Sequence, residues 1–336
     1  MRLVSKVLGV GLLALLVAGL TGWGTLAIRY SHLPAPLRDP LAAAFAGGTV
    51  LAFLVLPRRR RTLAGFFVAF ALLLAWWWRI PPSHDRDWQT DVSRLPWASI
   101  EGDLVTFHDI RDFDYRSETD YTPHWYDKTF DVRKLEGADL IAVYWMGPSI
   151  AHIFVSFDFG EQGHLAISVE TRKEKGEGYS TIAGFFKQYE LIYVVADERD
   201  VIRLRTNYRK DPPEDVYVYR VDARVENIRR FFLDYVKTIN DLKETPEFYN
   251  TGTTNCTTVV LMHTRVNPGS PPLSWKVLVS GYVPEYGYEL DLIDRSLPFP
   301  ELRRVSRVND RAHAADAAAD FSERIRVGLP LPPPLP

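Results

Sequence analysis

Hydrophobic residues are concentrated in the first 80 positions of this chain, in segments separated by short polar stretches. Residues 7–28, 41–56 and 62–80 are apolar over most or all of the length that a helix needs to cross a bilayer, about 20 residues. The third segment ends in Trp76, Trp77 and Trp78, and such aromatic clusters are typical of a membrane–water interface. We therefore predict a three-helix transmembrane region over residues 1–80.

Charge sets the orientation of these spans. Four arginines, residues 58–61, lie between the second and third segments, and Arg2 and Lys6 precede the first. Because short cytoplasmic loops are enriched in Lys and Arg, both regions are predicted to be cytoplasmic. The pattern predicts a multi-pass protein of the cytoplasmic (inner) membrane, with everything after the third span on the periplasmic or extracytoplasmic side.

The remaining chain alternates apolar and polar positions as an α+β domain does. A polar linker is predicted over residues 81–99 and a catalytic domain over 100–300, followed by a Pro-rich, partly disordered tail over 301–336. An edge strand is predicted within residues 104–125. Further predicted strands are residues 139–146, 152–158, 164–170, 191–197, 201–206 and 216–221. Predicted helices are residues 181–189, 225–243 and 256–266.

Composition and charge limit the classes of function that this chain can have. The net charge of −2 offers no basic field for nucleic acid, and the single cysteine excludes an intrachain disulfide. Asp and His residues within 104–125 do not have the spacing of metal ligands, so neither a metal nor another cofactor is expected. The acidic stretch of residues 197–200 is interpreted as a turn. The oligomeric state is left open.

The single cysteine, Cys256, stands at a predicted helix start. A Thr- and Gly-containing loop precedes it, Asn255 or Thr254 is suited to cap the helix, and apolar residues follow. A cysteine in the first helical turn meets free N–H groups and the positive end of the helix dipole, which favour a nucleophilic thiolate. The alternative is a small buried packing residue, the common fate of a lone cysteine.

A histidine and a carboxylate are predicted to meet on a hairpin. If residues 159–163 form the loop and Asp158 faces His164, then His152 faces Glu170 across the strand pair. A slip of one residue would place them on opposite faces. His263 lies seven residues beyond Cys256, about 10 Å along a helix, and is therefore excluded as its base. His164 remains an alternative base and Glu190 an alternative carboxylate.

These groups together predict a papain-like thiol site. Cys256 would attack an acyl carbon, His152 would take the thiol proton, and Glu170 would hold the imidazole. The N–H of Cys256, aided by the Asn255 side chain, would face the developing oxyanion. The histidine precedes the cysteine in the chain, an order found in circularly permuted members of this class.

Four blocks carry a family resemblance: residues 151–157 around His152, residues 166–176 around Glu170, residues 189–200, and residues 247–258 around Cys256. Together they resemble the DUF4105 family, the domain of the lipoprotein N-acyltransferase Lnb of Gram-positive bacteria. The resemblance covers about residues 100–295. It implies a circularly permuted, papain-like (NlpC/P60-type) domain with an antiparallel sheet and a helix that bears the cysteine. It also implies Cys256, His152 and Glu170 as the catalytic set.

For the Lnb branch, the resemblance implies transfer of an acyl chain from the glycerol of a diacyl lipoprotein to the amine of its own N-terminal cysteine. The expected function is thus a membrane-anchored acyltransferase that works through a thioester at Cys256 on a lipoprotein or phospholipid chain. Its partners would be the bilayer and a lipid or lipoprotein substrate. Two alternatives stay open: a cysteine peptidase or amidase acting on cell-envelope peptide, and a non-enzymatic membrane-anchored binding module.

Overall fold

The structure, a computed structural model, describes residues 2–330 and divides into two compact units. The first unit comprises the residues up to Asp85 together with the segment Gly178–Glu190. The second comprises Arg86–Glu177 and the residues from Leu191 onward. The fold of the described residues is α+β, as predicted, with apolar N-terminal helices and a mixed sheet.

Long apolar helices form the body of the first unit. They are α1 (Arg2–Arg29), α2 (Ala35–Val55) and α3 (Arg59–Trp78). Within the described residues, these three helices have the length and composition required to cross a membrane. The predicted spans are therefore confirmed as apolar helices of spanning length.

The segment Gly178–Glu190 packs on these helices. Lys187 Nζ donates to the backbone carbonyls of Trp77 and Ile80, at 3.2 and 3.1 Å, just beyond the C-terminal end of α3. Phe186 contacts the ring of Trp23. The predicted helix over residues 181–189 is wrong, because only one 3-10 turn, Ala183–Phe185, forms here. The physical reason is the left-handed backbone of Lys187, with φ of 60°, which interrupts any helical path.

The second unit is built on one large sheet. Its strands and two short neighbouring strands are β1 (Trp97–Glu101), β2 (Leu104–Arg111), β3 (Asp114–Tyr115), β4 (Tyr121–Thr122), β5 (Trp125–Asp131), β6 (Gly137–Tyr144), β7 (Ala151–Asp158), β8 (His164–Arg172), β9 (Glu190–Ala196) and β10 (Asp215–Arg220). Among the described residues, eight strands form the main sheet in the order β1-β2-β9-β8-β7-β6-β10, with β5 paired to β2. The pairs β6–β7 and β7–β8 are antiparallel, as predicted, but β2 and β9 are parallel, so the sheet is a mixed one rather than the antiparallel sheet that the family resemblance implies.

The helices of this unit follow the strands. They are α4 (Glu198–Arg203), α5 (Val225–Glu244), α6 (Cys256–Thr264), α7 (Trp275–Leu278), α8 (Val283–Glu289), α9 (Phe299–Ser306), α10 (Asn309–Ala314) and α11 (Phe321–Ile325). The prediction of α5 is confirmed, since its apolar stripe is buried. The prediction of a helix that begins at Cys256 is confirmed as well.

Both faces of the sheet are covered. On one face, Phe157 of β7 packs edge-on against Phe232 and Tyr235 of α5. On the other, Phe154 of the same strand joins a buried cluster with Phe321 of α11 and residues of α4 and α10. Because neighbouring strand positions point to opposite faces, the even-numbered residues of β7 and β8 face α4 and the C-terminal helices.

The predicted strand over residues 201–206 is wrong. The chain forms α4 there, capped by the Asp197 side chain, which accepts from the N–H of Arg199, and continues as π-helix over Leu204–Tyr208. The acidic stretch 197–200 is therefore a helix start rather than a turn. Glu198 and Asp200 are fully buried, where Arg326 and Arg111 pair with them. Tertiary charge pairing overrides the strand-like alternation of this segment.

The predicted boundaries also change. The second unit begins at Arg86, within the predicted linker 81–99, because Trp88 and Val92 are buried in it. The predicted tail over 301–336 is wrong for residues 301–330, which form most of α9 and all of α10 and α11 and bury Phe321 and Ile325 completely. The remainder of the predicted tail, residues 331–336, lies outside the described residues.

Candidate active site

The N-terminus of α6 is shaped by a capping box. Asn255 Oδ1 accepts from the N–H groups of Thr257 and Thr258 at 3.0 Å each, and Thr258 Oγ1 accepts from the Asn255 N–H at 3.0 Å. This arrangement places Cys256 at the first helical position with a free, partly exposed thiol. Its backbone N–H lies among the first four of the helix, which have no intrahelical acceptor.

The β7–β8 hairpin has the register that the sequence predicts. Asp158 pairs with His164, Phe157 with Leu165 and Val155 with Ile167. The same alignment brings His152 to Glu170, and His152 Nε2 lies 3.1 Å from Glu170 Oε1. The predicted histidine–carboxylate pair is therefore present in the structure.

Ser168, which the sequence pattern did not single out, joins this pair. Ser168 Oγ lies 2.7 Å from His152 Nε2 and donates to Glu170 Oε1 at 2.8 Å. With its own hydrogen directed to Glu170, the hydroxyl accepts from the Nε2–H of His152. Ser168 and Glu170 are two residues apart on one strand, so their side chains point to the same face of the sheet. The contact between them could therefore have been predicted from the alternation of side chains along β8.

The Cys256 side chain is close enough to His152 to raise the pKa of the imidazole. Because Nε2 is directed at Ser168 and Glu170, Nδ1 is the ring nitrogen that remains for the sulfur. The arrangement runs from thiol to imidazole to carboxylate, with α6, β7 and β8 each supplying one member. This is the geometry in which an imidazole can accept a thiol proton while a carboxylate stabilises the resulting cation.

The electrostatics favour a protonated imidazole. Burial lowers the pKa of His152, but the charge of Glu170, the charge of Cys256 and hydrogen bonds to both outweigh burial and raise the pKa to about 9. Burial raises the pKa of Glu170, yet His152, Arg205 and the Ser168 hydroxyl together hold it well below its ordinary value. At neutral pH the pair is thus an imidazolium and a carboxylate.

Arg205 is a second residue that sequence reasoning missed. Its Nη2 donates to Glu170 Oε1 at 2.8 Å and its Nη1 donates to the carbonyl of Val201 at 3.0 Å. The residue lies in the π-helical stretch that continues α4, a local irregularity that is frequent at functional sites. Apolar and polar residues alternate around Arg205 as in a strand, so the local sequence did not indicate a contact with β8.

The alternative residues lie elsewhere. His164 Nε2 is 3.6 Å from Asp158, at the closed end of the hairpin, and six residues of strand separate it from Glu170, about 20 Å. Glu190 accepts from the N–H of Ser83 and lies 4.0 Å from His32. Neither residue belongs to the His152 cluster, and both alternatives are corrected.

Asn255 caps α6, as predicted, because its Oδ1 accepts from the N–H groups of Thr257 and Thr258. Its Nδ2 donates to the carbonyl of Thr251 at 2.7 Å, so the side chain also holds the preceding loop to the helix start. A contribution of this side chain to oxyanion binding stays a prediction. His263 belongs to a separate buried cluster with Tyr193 and Asp234, in agreement with its exclusion as the base.

A short segment after α6 braces the site. Thr257 Oγ1 donates to the carbonyl of Val277 in α7, and Ser280 Oγ accepts from the N–H of Ala151, the neighbour of His152. Gly281 approaches the loop before β7 so closely that a Cβ atom would lie 2.1 Å from the Pro148 carbonyl oxygen. The position requires glycine.

Exposed apolar side chains flank this region. Met146 and Ile150 lie on the loop before β7, and Trp275 and Leu278 lie on α7. Trp275 and Leu278 are 58% and 57% exposed, and Met146 is 68% exposed. A group of large apolar residues in water is typical of a surface that binds a lipid or a partner.

Among residues 2–330, no group of three or more His, Cys, Asp or Glu side chains has the arrangement of a metal site.

Comparison with known proteins gives one match. Residues 121–281 match the family model described as the Lnb N-terminal periplasmic domain. This range includes Cys256, His152, Ser168, Glu170 and Arg205. Neither the curated proteins nor the solved structures that were searched gave a match.

Proposed function

Residues 121–281 of this chain are an Lnb N-terminal periplasmic domain, and on that premise we propose that the protein is a membrane-anchored, cysteine-dependent acyltransferase. Cys256 carries the acyl group as a thioester, and the donor is an acyl ester of a lipoprotein or a phospholipid. The observation that carries the proposal is the cluster of Cys256, His152 and Glu170, in which His152 Nε2 lies 3.1 Å from Glu170 Oε1 and Cys256 is close enough to raise the pKa of the imidazole.

The first half-reaction loads the enzyme. The Cys256 thiolate attacks the ester carbonyl carbon, a C–S bond forms, and the carbonyl oxygen becomes an oxyanion that the N–H of Cys256 stabilises. The C–O bond to the glycerol oxygen then breaks. The His152 imidazolium supplies its proton to that leaving oxygen, and Glu170 stabilises the imidazolium before this transfer.

The second half-reaction unloads it. An amine nitrogen attacks the thioester carbonyl carbon, a C–N bond forms, and the C–S bond breaks to restore the thiolate of Cys256. The neutral His152 accepts the proton that the nitrogen loses, so the site returns to its starting charges. An ester-to-amide transfer therefore needs no group other than those already present in the cluster.

Two features favour a lipid substrate over a peptide one. The three N-terminal helices have the length and composition of membrane spans, and the four arginines at residues 58–61 favour a cytoplasmic loop between α2 and α3 by the positive-inside rule. The catalytic unit would then work outside a multi-pass inner-membrane anchor. The exposed side chains of Met146, Ile150, Trp275 and Leu278 give it an apolar rim to which an acyl chain could bind.

The proposed fold is a circularly permuted papain-like one. The elements that support it are a cysteine at the start of α6, a histidine on β7 and a carboxylate on β8. In such domains the nucleophile lies at a helix N-terminus and the base on a neighbouring strand.

Mass spectrometry of the intact, membrane-extracted protein tests the proposal. Since Cys256 is the single cysteine of the chain, any thioester adduct must lie there. We expect an acyl adduct that neutral hydroxylamine removes, that is absent from Cys256→Ala, and that accumulates as a stable ester in Cys256→Ser. His152→Ala should form the adduct at least about 100-fold more slowly.

The same experiment separates the alternatives. A peptide-derived adduct would assign the site to a cysteine peptidase or amidase. A Cys256→Ala protein that complements a deletion strain fully would refute both enzymatic functions and leave a binding module.

A further inference from the structure

Arg205 is a buried cation in contact with the site, and no step of the proposed reaction uses it. Its side chain is about 4% exposed, and its Nη2 donates to Glu170 Oε1 at 2.8 Å. The same oxygen receives the Ser168 hydroxyl at 2.8 Å and lies 3.1 Å from His152 Nε2. One carboxylate oxygen therefore joins two cations and a hydroxyl.

The burial of this arginine is costly. A charge moved out of water loses several kcal/mol of hydration, and only good pairing recovers it. Arg205 recovers part of it, since Nη2 and Nη1 have acceptors, whereas Nε has no hydrogen-bond partner among the residues that the structure describes. An apolar side chain would fill this place at lower cost, so stability alone does not account for the guanidinium.

The surrounding charges single out the pair of Arg205 with Glu170. Two arginines and a glutamate also act on Arg205, and each has a partner of its own: Arg209 pairs with Glu214 at 3.0 Å, and Arg111 pairs with Asp200 at 2.6 Å. On the side of the imidazole, the charged neighbours of His152 are Glu170 and Cys256. Arg205 therefore contacts the His152 cluster at one carboxylate, that of Glu170.

We propose that Arg205 is a positioning residue of this site: it fixes Glu170 toward Ser168 and His152, and it sets the pH at which Cys256 becomes reactive. The Val201 carbonyl holds Nη1 of the guanidinium, and Nη2 then restrains Glu170 Oε1 by a single hydrogen bond. Its positive charge also competes with the imidazolium for the carboxylate. With Arg205 present, His152 holds its proton less tightly and the thiolate of Cys256 is more stable.

The sign of the effect follows. If the charge of Arg205 is removed, the field at the cluster becomes more negative, so thiolate formation at Cys256 requires a higher pH. The contacts of 2.8 and 3.1 Å that link Arg205 to His152 place the guanidinium within about 6 Å of the imidazole, and a unit charge at that distance in a partly buried site shifts the joint titration of the Cys256–His152 pair by about one pH unit. The inference rests on the proposed role of Cys256 as a nucleophile, but its test requires no substrate.

Alkylation of Cys256 in the full chain measures this directly. The rate of modification by iodoacetamide is followed from pH 4 to 10 by intact mass, and the lone cysteine makes the signal unambiguous. We expect the midpoint of Arg205→Met to lie about one pH unit above that of the wild type, and Arg205→Lys to remain near the wild-type value. Arg203→Met is the matched control, because Arg203 is buried on the same segment but pairs with Asp316 at 2.9 Å.

A double variant tests the route. Because the charge of Arg205 acts across space, Glu170→Gln with Arg205→Met should have a midpoint about one pH unit above that of Glu170→Gln alone, and equal midpoints would refute an effect of the charge. A folded Arg205→Met with the wild-type midpoint, or Arg203→Met shifted equally, would overturn the proposal.

If Arg205→Met does not fold, Arg205→Lys decides, and a Lys midpoint one pH unit above the wild type would then count against it. If the wild-type protein forms no acyl adduct but the alkylation midpoint still depends on Arg205, the proposed acyl transfer is refuted and the role of Arg205 stands.

Discussion

The charge of Glu170 is the perturbation with the clearest expected consequence. Glu170→Gln keeps the shape of the side chain and an oxygen that can accept from Arg205 and Ser168. It removes the negative charge that lies 3.1 Å from His152 Nε2. The variant therefore isolates the electrostatic contribution of this residue from its packing.

The magnitude follows from the titration of His152. The pKa of His152 rises from 6.5 to about 9, which corresponds to roughly 3 kcal/mol in favour of the imidazolium. Burial opposes the rise, and of the groups that produce it the charge of Glu170 is the largest. Losing it should lower the pKa of His152 by well over one pH unit, on the order of 2 kcal/mol.

The effect on stability has a definite sign. Because the pKa of His152 is higher in the folded protein, its contribution is fully present below pH 6.5 and is lost as the pH rises through about 9. In Glu170→Gln this loss should be complete at a lower pH. The assay is thermal unfolding of the detergent-solubilised protein at intervals from pH 5 to 10, with His152→Gln as the control in which this dependence disappears.

Turnover should follow the same logic. Glu170→Gln should slow formation of the acyl adduct without abolishing it, because His152 can still accept the thiol proton, whereas His152→Ala should nearly abolish it. The reasoning would be refuted if Glu170→Gln kept both the wild-type rate and the wild-type dependence of unfolding on pH. That result would mean that Glu170 exerts no field on His152 in solution.

Two further predictions concern the structure around the site. Asn255→Ala should lower the unfolding free energy by about 1 kcal/mol and slow alkylation of Cys256, because α6 loses its cap. Asn255→Ser, which can still cap the helix, should recover most of the stability and most of the alkylation rate. An unchanged alkylation rate in Asn255→Ala would contradict the role of the cap. Phe321→Ala should destabilise the protein by about 3–5 kcal/mol in thermal unfolding, because the ring is completely buried in α11. Val327→Ala, at a position that is 68% exposed, is its control, and equal melting temperatures for the two would show that the C-terminal helices do not pack.

The sequence allowed the core of the site to be predicted because its parts obey local rules. The loop of residues 159–163 and the period of two along the strands fix the register Asp158–His164, and that register alone brings His152 to Glu170. The cap at Asn255 and the apolar run after it locate the start of α6. These features depend on residues close together in the chain.

The features that were missed depend on distant residues. Arg205 follows Glu170 by 35 positions, in a segment whose alternation is that of a strand. It forms a helix because Glu198 and Asp200 bury their carboxylates against Arg326 and Arg111, and no local pattern contains those partners. The C-terminal helices were missed for a related reason: Phe321 and Ile325 are sparse apolar positions among Ala, Asp and Arg, and only the cluster that they join shows their packing.

The same distant contacts connect the C-terminus to the chemistry. Arg326 donates to Glu198 at 2.6 Å and to Asp139 of β6 at 2.7 Å, so it fastens α4 to the sheet. The π-helical stretch that continues α4 carries Arg205, which in turn fixes Glu170. Arg326 lies beyond residue 281, where the family match ends. A truncation at that boundary would keep Cys256, His152 and Glu170 but remove the contacts of Arg326 with Glu198 and Asp139, so we expect the matched domain alone to form the proposed acyl adduct more slowly than the full chain.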